Sequence, residues 1–196
     1  MTKLILASAS LGRKYLLDKL KLDYETVHTN LDEEKIIADT PINTIKLRAK
    51  LKGEEALKQI MKQITNNRQQ ITENKKTVTY NLPPKTYNLK PITYLILSAD
   101  TEVILNNKLF GKPKTEKEAV QMLKTLSGKT HEVVTAVYFK IISNIPASPA
   151  GRQYPISNIE TWSDHDVSLV TFRKLTEADI KRYLKYTDYT RYTGGY

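Results

Sequence analysis

Residues 8–14 combine the side chains that proteins use to bind phosphates. They open a predicted helix with two hydroxyls, of Ser8 and Ser10, and two cations, of Arg13 and Lys14. A cation at a helix N-terminus costs about 0.3–1 kcal/mol when exposed, whereas a bound anion reverses that sign. Taken alone, this stretch fits a phosphate-binding turn and an ordinary solvated helix start equally well.

Two acids follow the apolar first half of the most apolar predicted strand. Residues 94–97 read Tyr-Leu-Ile-Leu and lead into Asp100 and Glu102. Side chains two apart in a strand project to the same side of the sheet, at an edge where α/β proteins tend to bind ligands. The pair could therefore hold Mg²⁺ or Mn²⁺, which prefer oxygen ligands. In the alternative interpretation Asp100 caps a turn and Glu102 faces solvent.

Two short motifs carry charges that could join such a site. Residues 32–34 read Asp-Glu-Glu and either supply a metal ligand or cap the following helix, where acids are favourable. The cap is the favoured interpretation unless the cluster faces Asp100. Residues 111–113 read Gly-Lys-Pro, a tight and stiff backbone that could aim Lys112 at a phosphate. On its own, this motif is more typical of an ordinary loop.

Alternating strands and helices must position these residues, and they predict a mixed α/β fold. The N-terminal signals are Ser10 for the first helix, and Thr115 and Thr176 for two later ones. The predicted strands are 3–7, 24–29, 94–105, 131–142 and 167–173, and the predicted helices are 11–20, 41–59, 115–126 and 176–186.

Composition excludes several classes of protein. The 196 residues contain no cysteine and three histidines, so a disulfide framework or a Cys-based zinc site is excluded. No apolar run approaches the roughly 20 residues of a membrane span, and a cytoplasmic protein is expected. The net charge of +10 invites a nucleic-acid partner. Much of that charge lies in the polar segment 61–94, which is typical of a solvated insertion, so nucleic acid is not the expected partner.

Six segments form a joint pattern along nearly the whole chain. They are the opening 4–17, the Asp-Thr of 100–101, the Lys-Pro of 112–113, the Leu-Ser-Gly-Lys-Thr-His of 126–131, the strand, turn and helix of 167–183, and the Thr-Gly-Gly-Tyr of 193–196. In this order they resemble the Maf family of nucleotide pyrophosphatases. The resemblance implies a mixed twisted sheet with flanking helices, in two lobes around a nucleotide cleft, related to inosine-triphosphate pyrophosphatases.

The resemblance also implies an enzyme that hydrolyses a nucleoside triphosphate to the monophosphate and pyrophosphate with Mg²⁺ or Mn²⁺. Asp100 would be the general base or metal-bound acid, and Glu33 would assist the metal. Thr101 falls where the family adjusts its base preference. The remaining roles are in phosphate binding, by Ser8, Ser10, Arg13 and Lys112 with Lys52 near them.

Some residues depart from the family's pattern. Gly12 stands where the family has an arginine and therefore bears on substrate choice, and Glu102 replaces a usually apolar residue. We expect one Maf-like domain over residues 1–196, with polar insertions at about 61–94 and 143–160, and without the family's C-terminal strand and helix. An uncovered sheet of this kind would favour a homodimer.

Three functions remain open at this level. The first is a pyrophosphatase acting on dTTP and UTP or on modified nucleotides, which Thr101 and the 126–131 segment favour. The second is a catalytically weak nucleotide-binding or interaction protein that resembles the family. The third, an RNA-binding module built on segment 61–94, has the least support because that segment lacks an aromatic-interleaved RNA motif.

Overall fold

A computed structural model describes residues 2–73, 92–145 and 159–196 and shows the expected mixed α/β architecture. The strands are β1 (Thr2–Leu6), β2 (Tyr24–Thr26), β3 (Ile92–Leu105), β4 (Lys108–Phe110), β5 (Thr130–Ile145) and β6 (Ile159–Thr171). The α-helices are α1 (Leu11–Lys19), α2 (Pro41–Glu73), α3 (Glu116–Leu126) and α4 (Glu177–Tyr186), and 3-10 turns occupy Glu33–Lys35, Tyr189–Arg191 and Thr193–Gly195.

Within the described residues the strands form one sheet in the order β2-β1-β3-β5-β6, with β4 paired to β3. Strand β1 runs parallel to both β2 and β3. The β3–β4 hairpin is antiparallel and turns at Asn106 and Asn107, which have φ values of 52° and 61°. Asparagine tolerates this left-handed conformation better than most residues, so the two adjacent asparagines account for the position of the turn.

The chain divides into two compact units. The first comprises the described residues of Met1–Leu31, Lys50–Ser98 and Tyr138–Trp162. Its core includes Ile5, Ile96 and Ile142. The second comprises the described residues of Asp32–Ala49, Ala99–Val137 and Ser163–Tyr196. Its core residues are Val103, Leu105, Phe110 and Leu126 in one cluster and Ala119, Leu123, Ile180 and Leu184 in another.

Both later helices begin at the predicted caps. The Thr115 hydroxyl accepts a hydrogen bond from the Glu118 amide. At α4 the capping box is complete, because Thr176 accepts from the Asp179 amide and the Asp179 carboxylate accepts from the Thr176 amide. Each cap satisfies an amide that the first helical turn leaves without an intrahelical partner.

The largest departures from the predicted boundaries are at the end of α2 and the start of β6, and smaller ones of two or three residues occur at the ends of β2, β5 and β6. Helix α2 continues to Glu73, past the predicted end at 59, and β6 begins at Ile159 rather than at 167. Strand β6 is the last strand in the sheet order, and most of its residues are exposed. Backbone hydrogen bonds to its neighbour stabilise it, so its sequence does not need the alternating hydrophobic residues from which a strand is predicted. Residues 74–91 and 146–158, the greater part of the two predicted insertions, lie outside the described residues. No helix in the described ranges is long and apolar enough to cross a membrane.

Candidate active site

In the first unit, the turn after β1 gathers three of the predicted phosphate-binding residues. The Ser8 hydroxyl is buried and accepts hydrogen bonds from Arg13 Nη1 at 2.8 Å and from the Ser10 amide at 3.2 Å. Ser10 occupies the N-cap position of α1, but its side chain makes no capping hydrogen bond. The first helical turn contains no acid, and Lys14 is half-buried on it. The local charge at this helix start is therefore positive.

Helix α2 brings Lys52 into the first unit with only 6% of its surface exposed, which is rare for a lysine. The next residue, Gly53, lies against the side chains of Ser98 and Tyr138. A Cβ atom built on Gly53 would come within 2.6 Å of the Tyr138 ring. Glycine therefore permits the close approach that buries this part of the helix.

In the second unit, β3 buries two carboxylates on one side. Asp100 is 4% exposed and Glu102 is 8% exposed, so the alternative in which Glu102 faces solvent is wrong. Burial raises the pKa of Glu102 to about 7, and the charges of Asp100 and Glu33 act in the same direction. The Thr193 hydroxyl and Arg48 oppose this shift. Glu33 and Asp100, which are far apart in sequence, therefore both lie within electrostatic range of the Glu102 carboxyl group.

The acidic cluster 32–34 does not act as a side-chain cap. Asp32 precedes the 3-10 turn Glu33–Lys35 without a capping hydrogen bond from its side chain. Glu33 is half-buried, and Glu34 pairs with Lys114 at the surface, with 2.6 Å between their charged atoms. Of these three acids, Glu33 is thus the one whose charge acts on the buried carboxyl group of Glu102.

Arg48 is a residue of this group that the sequence did not single out. Its Nη1 atom donates to Glu102 Oε1 at 3.0 Å, and its Nε atom donates to the Ile36 carbonyl at 3.1 Å. The spacing in α2 contains a signal that could have identified it. Arg48 lies three residues after Ile45, on the same helical face, and the structure shows that Thr44 and Ile45 on this face are buried. A cation on a buried helical face requires a buried acid as its partner, and Glu102 is that acid.

The remaining predicted residues of the second unit differ in their surroundings. The Thr101 hydroxyl lies 3.0 Å from the Thr135 hydroxyl of β5. Lys112 is exposed, between the half-buried Gly111 and the buried Pro113. The Gly111 carbonyl accepts a 2.9 Å hydrogen bond from the Gly194 amide, which ties the lysine-bearing loop to the C-terminal segment.

The donor set of the second unit suits a divalent cation that shares its coordination with a substrate. In the described part of the chain no three His, Asp or Glu side chains form a metal-binding group. Mg²⁺ is usually bound by one or two carboxylates together with substrate phosphates and water, rather than by an all-protein cage. Asp100 and Glu33 are two carboxylates of the kind this coordination uses. The two carboxylate oxygens of Glu102 accept hydrogen bonds from Arg48 and Thr193.

A cavity of about 490 Å³ also lies in the second unit. Its walls include Phe172, Tyr183 and Tyr196, and none of the predicted site residues lines it. Tyr196 donates to or accepts from His131 Nε2 at 2.5 Å, and burial lowers the pKa of His131 and raises that of Tyr196 to about 12. Both groups are therefore neutral near pH 7, and the hydrogen bond between them holds the Tyr196 side chain beside His131.

The protein is thus a mixed α/β protein. Its first unit has hydroxyl and cationic side chains of the kind that bind phosphates, and its second unit has buried acids. The chain belongs to the family of Maf-like proteins, whose family model matches residues 3–196. The resemblance noted in the sequence is thereby confirmed.

Relatives of known name are similar over most of their length. A dTTP/UTP pyrophosphatase of Treponema denticola is 32% identical, covering 100% of this chain and 80% of the relative. One of Agathobacter rectalis is 33% identical, covering 100% and 81%. One of Aquifex aeolicus is 30% identical, covering 93% and 71%. A solved structure, of the Staphylococcus aureus Ham1 protein, is similar with a TM-score of 0.36 at 14% identity, covering 84% of this chain and 70% of that one.

Proposed function

We propose that this protein hydrolyses nucleoside triphosphates to the monophosphate and pyrophosphate, with dTTP and UTP as its substrates. The observation that carries the proposal is the family membership over residues 3–196, with dTTP/UTP pyrophosphatases among the relatives. The site chemistry agrees with it, since one unit offers cationic and hydroxyl groups and the other offers buried acids. The cytoplasm is the compartment we propose for it.

The first unit supplies groups that suit a triphosphate. The Ser8 hydroxyl and Arg13 are already joined by a hydrogen bond, so the guanidinium is held in place before an anion arrives. The start of α1 adds amides and a positive dipole end. Lys14 and Lys52 add cationic charge. Gly12 is exposed in this turn, and lacking a side chain it leaves room for a base or sugar.

The second unit supplies the groups that suit the chemical step. We propose that Asp100 and Glu33 hold Mg²⁺ or Mn²⁺, which would neutralise phosphate charge and polarise a P–O bond when bound. Asp100 would orient a water molecule and accept its proton as the water attacks the α-phosphorus. Lys112 would stabilise the negative charge on the departing pyrophosphate. Thr101 would contribute to the choice of base.

The experiment is pyrophosphate release from a panel of nucleoside triphosphates in the presence of Mg²⁺ or Mn²⁺. Asp100→Asn keeps the size of the side chain, and we expect turnover to fall by roughly 10²–10⁴-fold because the general base is lost. Asp166→Asn is the matched control, since Asp166 is an exposed aspartate on β6 of the same unit. Wild-type turnover in Asp100→Asn would contradict its assignment. Nucleotide binding by the wild type without pyrophosphate release would instead favour the weak binding protein.

A further inference from the structure

Arg48 connects the two chain segments that carry the acids of the second unit. Its Nε atom donates to the carbonyl of Ile36, the residue that follows the 3-10 turn Glu33–Lys35. Its Nη1 atom donates to Glu102, two residues beyond Asp100 on β3. The arginine side chain is 10% exposed and that of Glu102 is 11% exposed. One rigid guanidinium therefore holds the segment of Glu33 and the strand of Asp100 together.

The other oxygen of Glu102 extends the connection to the loop that carries Lys112. Thr193 Oγ1 lies 2.5 Å from Glu102 Oε2 and 2.5 Å from the Phe110 carbonyl. The adjoining Gly194 amide donates to the Gly111 carbonyl. Through Thr193, the buried pair therefore also contacts the start of the lysine-bearing loop.

We propose that Arg48 and Glu102 are positioning residues, which hold Glu33 and Asp100 at the separation that a divalent cation needs. This inference rests on the proposed function, because it assigns the metal to those two acids. Neither residue would be a metal ligand in this arrangement: Arg48 is a cation, and both carboxylate oxygens of Glu102 accept hydrogen bonds from Arg48 and Thr193. Partners of this outer kind orient the ligating side chains and tune metal affinity.

The physical argument is that a buried ion pair is a poor way to gain stability. Removing two charges from water is expensive, and well-packed neutral side chains of similar volume often serve as well or better. The planar guanidinium, however, binds two acceptors in one fixed geometry, which neither a lysine nor an apolar side chain reproduces. We therefore explain the Arg48–Glu102 pair by its geometry: the guanidinium joins the segment that carries Glu33 to the strand that carries Asp100.

The test compares two double variants of the full-length protein. Arg48→Met with Glu102→Gln removes both charges, while the glutamine still accepts the hydrogen bond from Thr193. Lys140→Met with Glu54→Gln is the matched control, because the buried Lys140 pairs with the half-buried Glu54 in the first unit, with 2.7 Å between their charged atoms. The glutamine there still accepts from Tyr138. Thermal unfolding, Mn²⁺ affinity by calorimetry and hydrogen exchange of the Ile36 amide are measured on each.

We expect the first double variant to stay folded while its Mn²⁺ dissociation constant rises roughly 10–100-fold, the range known for outer-shell substitutions. Its Ile36 amide should exchange faster, because the segment has lost its connection to β3. In turnover, kcat should fall and the half-activating Mg²⁺ concentration should rise, with an unchanged KM for dTTP. The control variant should keep wild-type Mn²⁺ affinity and wild-type Ile36 exchange.

A folded first variant with wild-type Mn²⁺ affinity and wild-type exchange would overturn the proposal, as would equal losses of affinity in both double variants. If that variant does not fold, Arg48→Lys is tested instead. Lysine keeps the positive charge beside Glu102 but cannot donate to Glu102 and to the Ile36 carbonyl in the same fixed geometry. Wild-type Mn²⁺ affinity in a folded Arg48→Lys variant likewise refutes the idea. Metal binding and exchange are measured without turnover. A wild type that binds Mn²⁺ but releases no pyrophosphate would therefore refute the proposed function separately.

Discussion

Gly53→Ala and Gly12→Ala make the same chemical change in two helices and should have opposite effects on stability. A Cβ atom at Gly53 would lie 2.6 Å from Tyr138 Cδ1 and 2.8 Å from Ser98 Oγ. The Tyr138 ring has little freedom to move, because it is buried and its hydroxyl donates to Glu54 at 2.5 Å. At Gly12 the nearest such contact is Ser10 Oγ at 3.8 Å, so the methyl group fits.

The magnitudes follow from two terms. Replacing glycine by alanine in a helix gains about 0.5–1 kcal/mol from backbone entropy, and this term is common to both variants. Overpacking a filled core costs about 1–3 kcal/mol and applies only at Gly53. We therefore expect Gly12→Ala to raise the free energy of unfolding by about 0.5–1 kcal/mol, from the first of these terms. Gly53→Ala should lower it by up to about 2.5 kcal/mol, the largest difference between the two terms.

Urea denaturation monitored by circular dichroism measures both values on the full chain. The difference between the two variants isolates the overpacking cost, since helix propensity nearly cancels. If Gly53→Ala stabilised the protein as much as Gly12→Ala does, α2 would not approach β3 and β5 this closely in the first unit, and the explanation of the buried Lys52 would be refuted.

Three further predictions concern single side chains. Arg13→Lys should raise the KM for dTTP about tenfold with little loss of stability, because lysine cannot hold Ser8 and a phosphate at once; an unchanged KM in steady-state kinetics would refute its role. Lys112→Ala should lower kcat more than it raises KM if the lysine stabilises the leaving pyrophosphate, and the reverse split would make it a ground-state binding residue. The Arg173 guanidinium, with the backbone and hydroxyl of the adjoining cap, holds the pKa of Asp179 well below its usual range. The carboxylate therefore stabilises the fold above about pH 4, and this stabilisation is lost as the pH falls through the pKa of the folded state. Asp179→Asn should accordingly lower Tm at neutral pH, and the Tm values of the variant and the wild type should become equal in strong acid.

Local signals in the sequence predicted much of the fold. The caps at Thr115 and Thr176 and the turn at 106–107 depend on a few neighbouring residues, so they can be recognised without knowledge of the tertiary structure. The end of α2 and the start of β6 were misplaced. Beyond residue 59 the helix becomes strongly polar, and β6 is exposed at the sheet edge, so neither segment has the apolar periodicity that sequence interpretation requires.

The types of side chain in the candidate site were also readable from the chain. Ser8, Arg13 and Asp100 stand out because hydroxyls and cations at a helix start, and an acid after an apolar strand, are unusual combinations. The spacing of two residues placed Asp100 and Glu102 on one side of β3. The sequence left two questions open: whether Glu102 faces solvent and whether Glu33 caps a helix or acts on the other acids. Both depend on which distant segments of the chain pack against these side chains.

Sequence alone determined the elements, the family and the kinds of chemistry that the chain could support, since these depend on residue type and on short-range order. Only the tertiary structure decided that Glu102 is buried, that Arg48 is its partner, and that Glu33 lies within electrostatic reach of the same group. The physical reason is that Glu102 and Arg48 are 54 residues apart. A buried charge requires a partner of opposite sign, but the local sequence pattern does not show which residue supplies it. That residue is determined by the tertiary arrangement of segments that are distant in sequence.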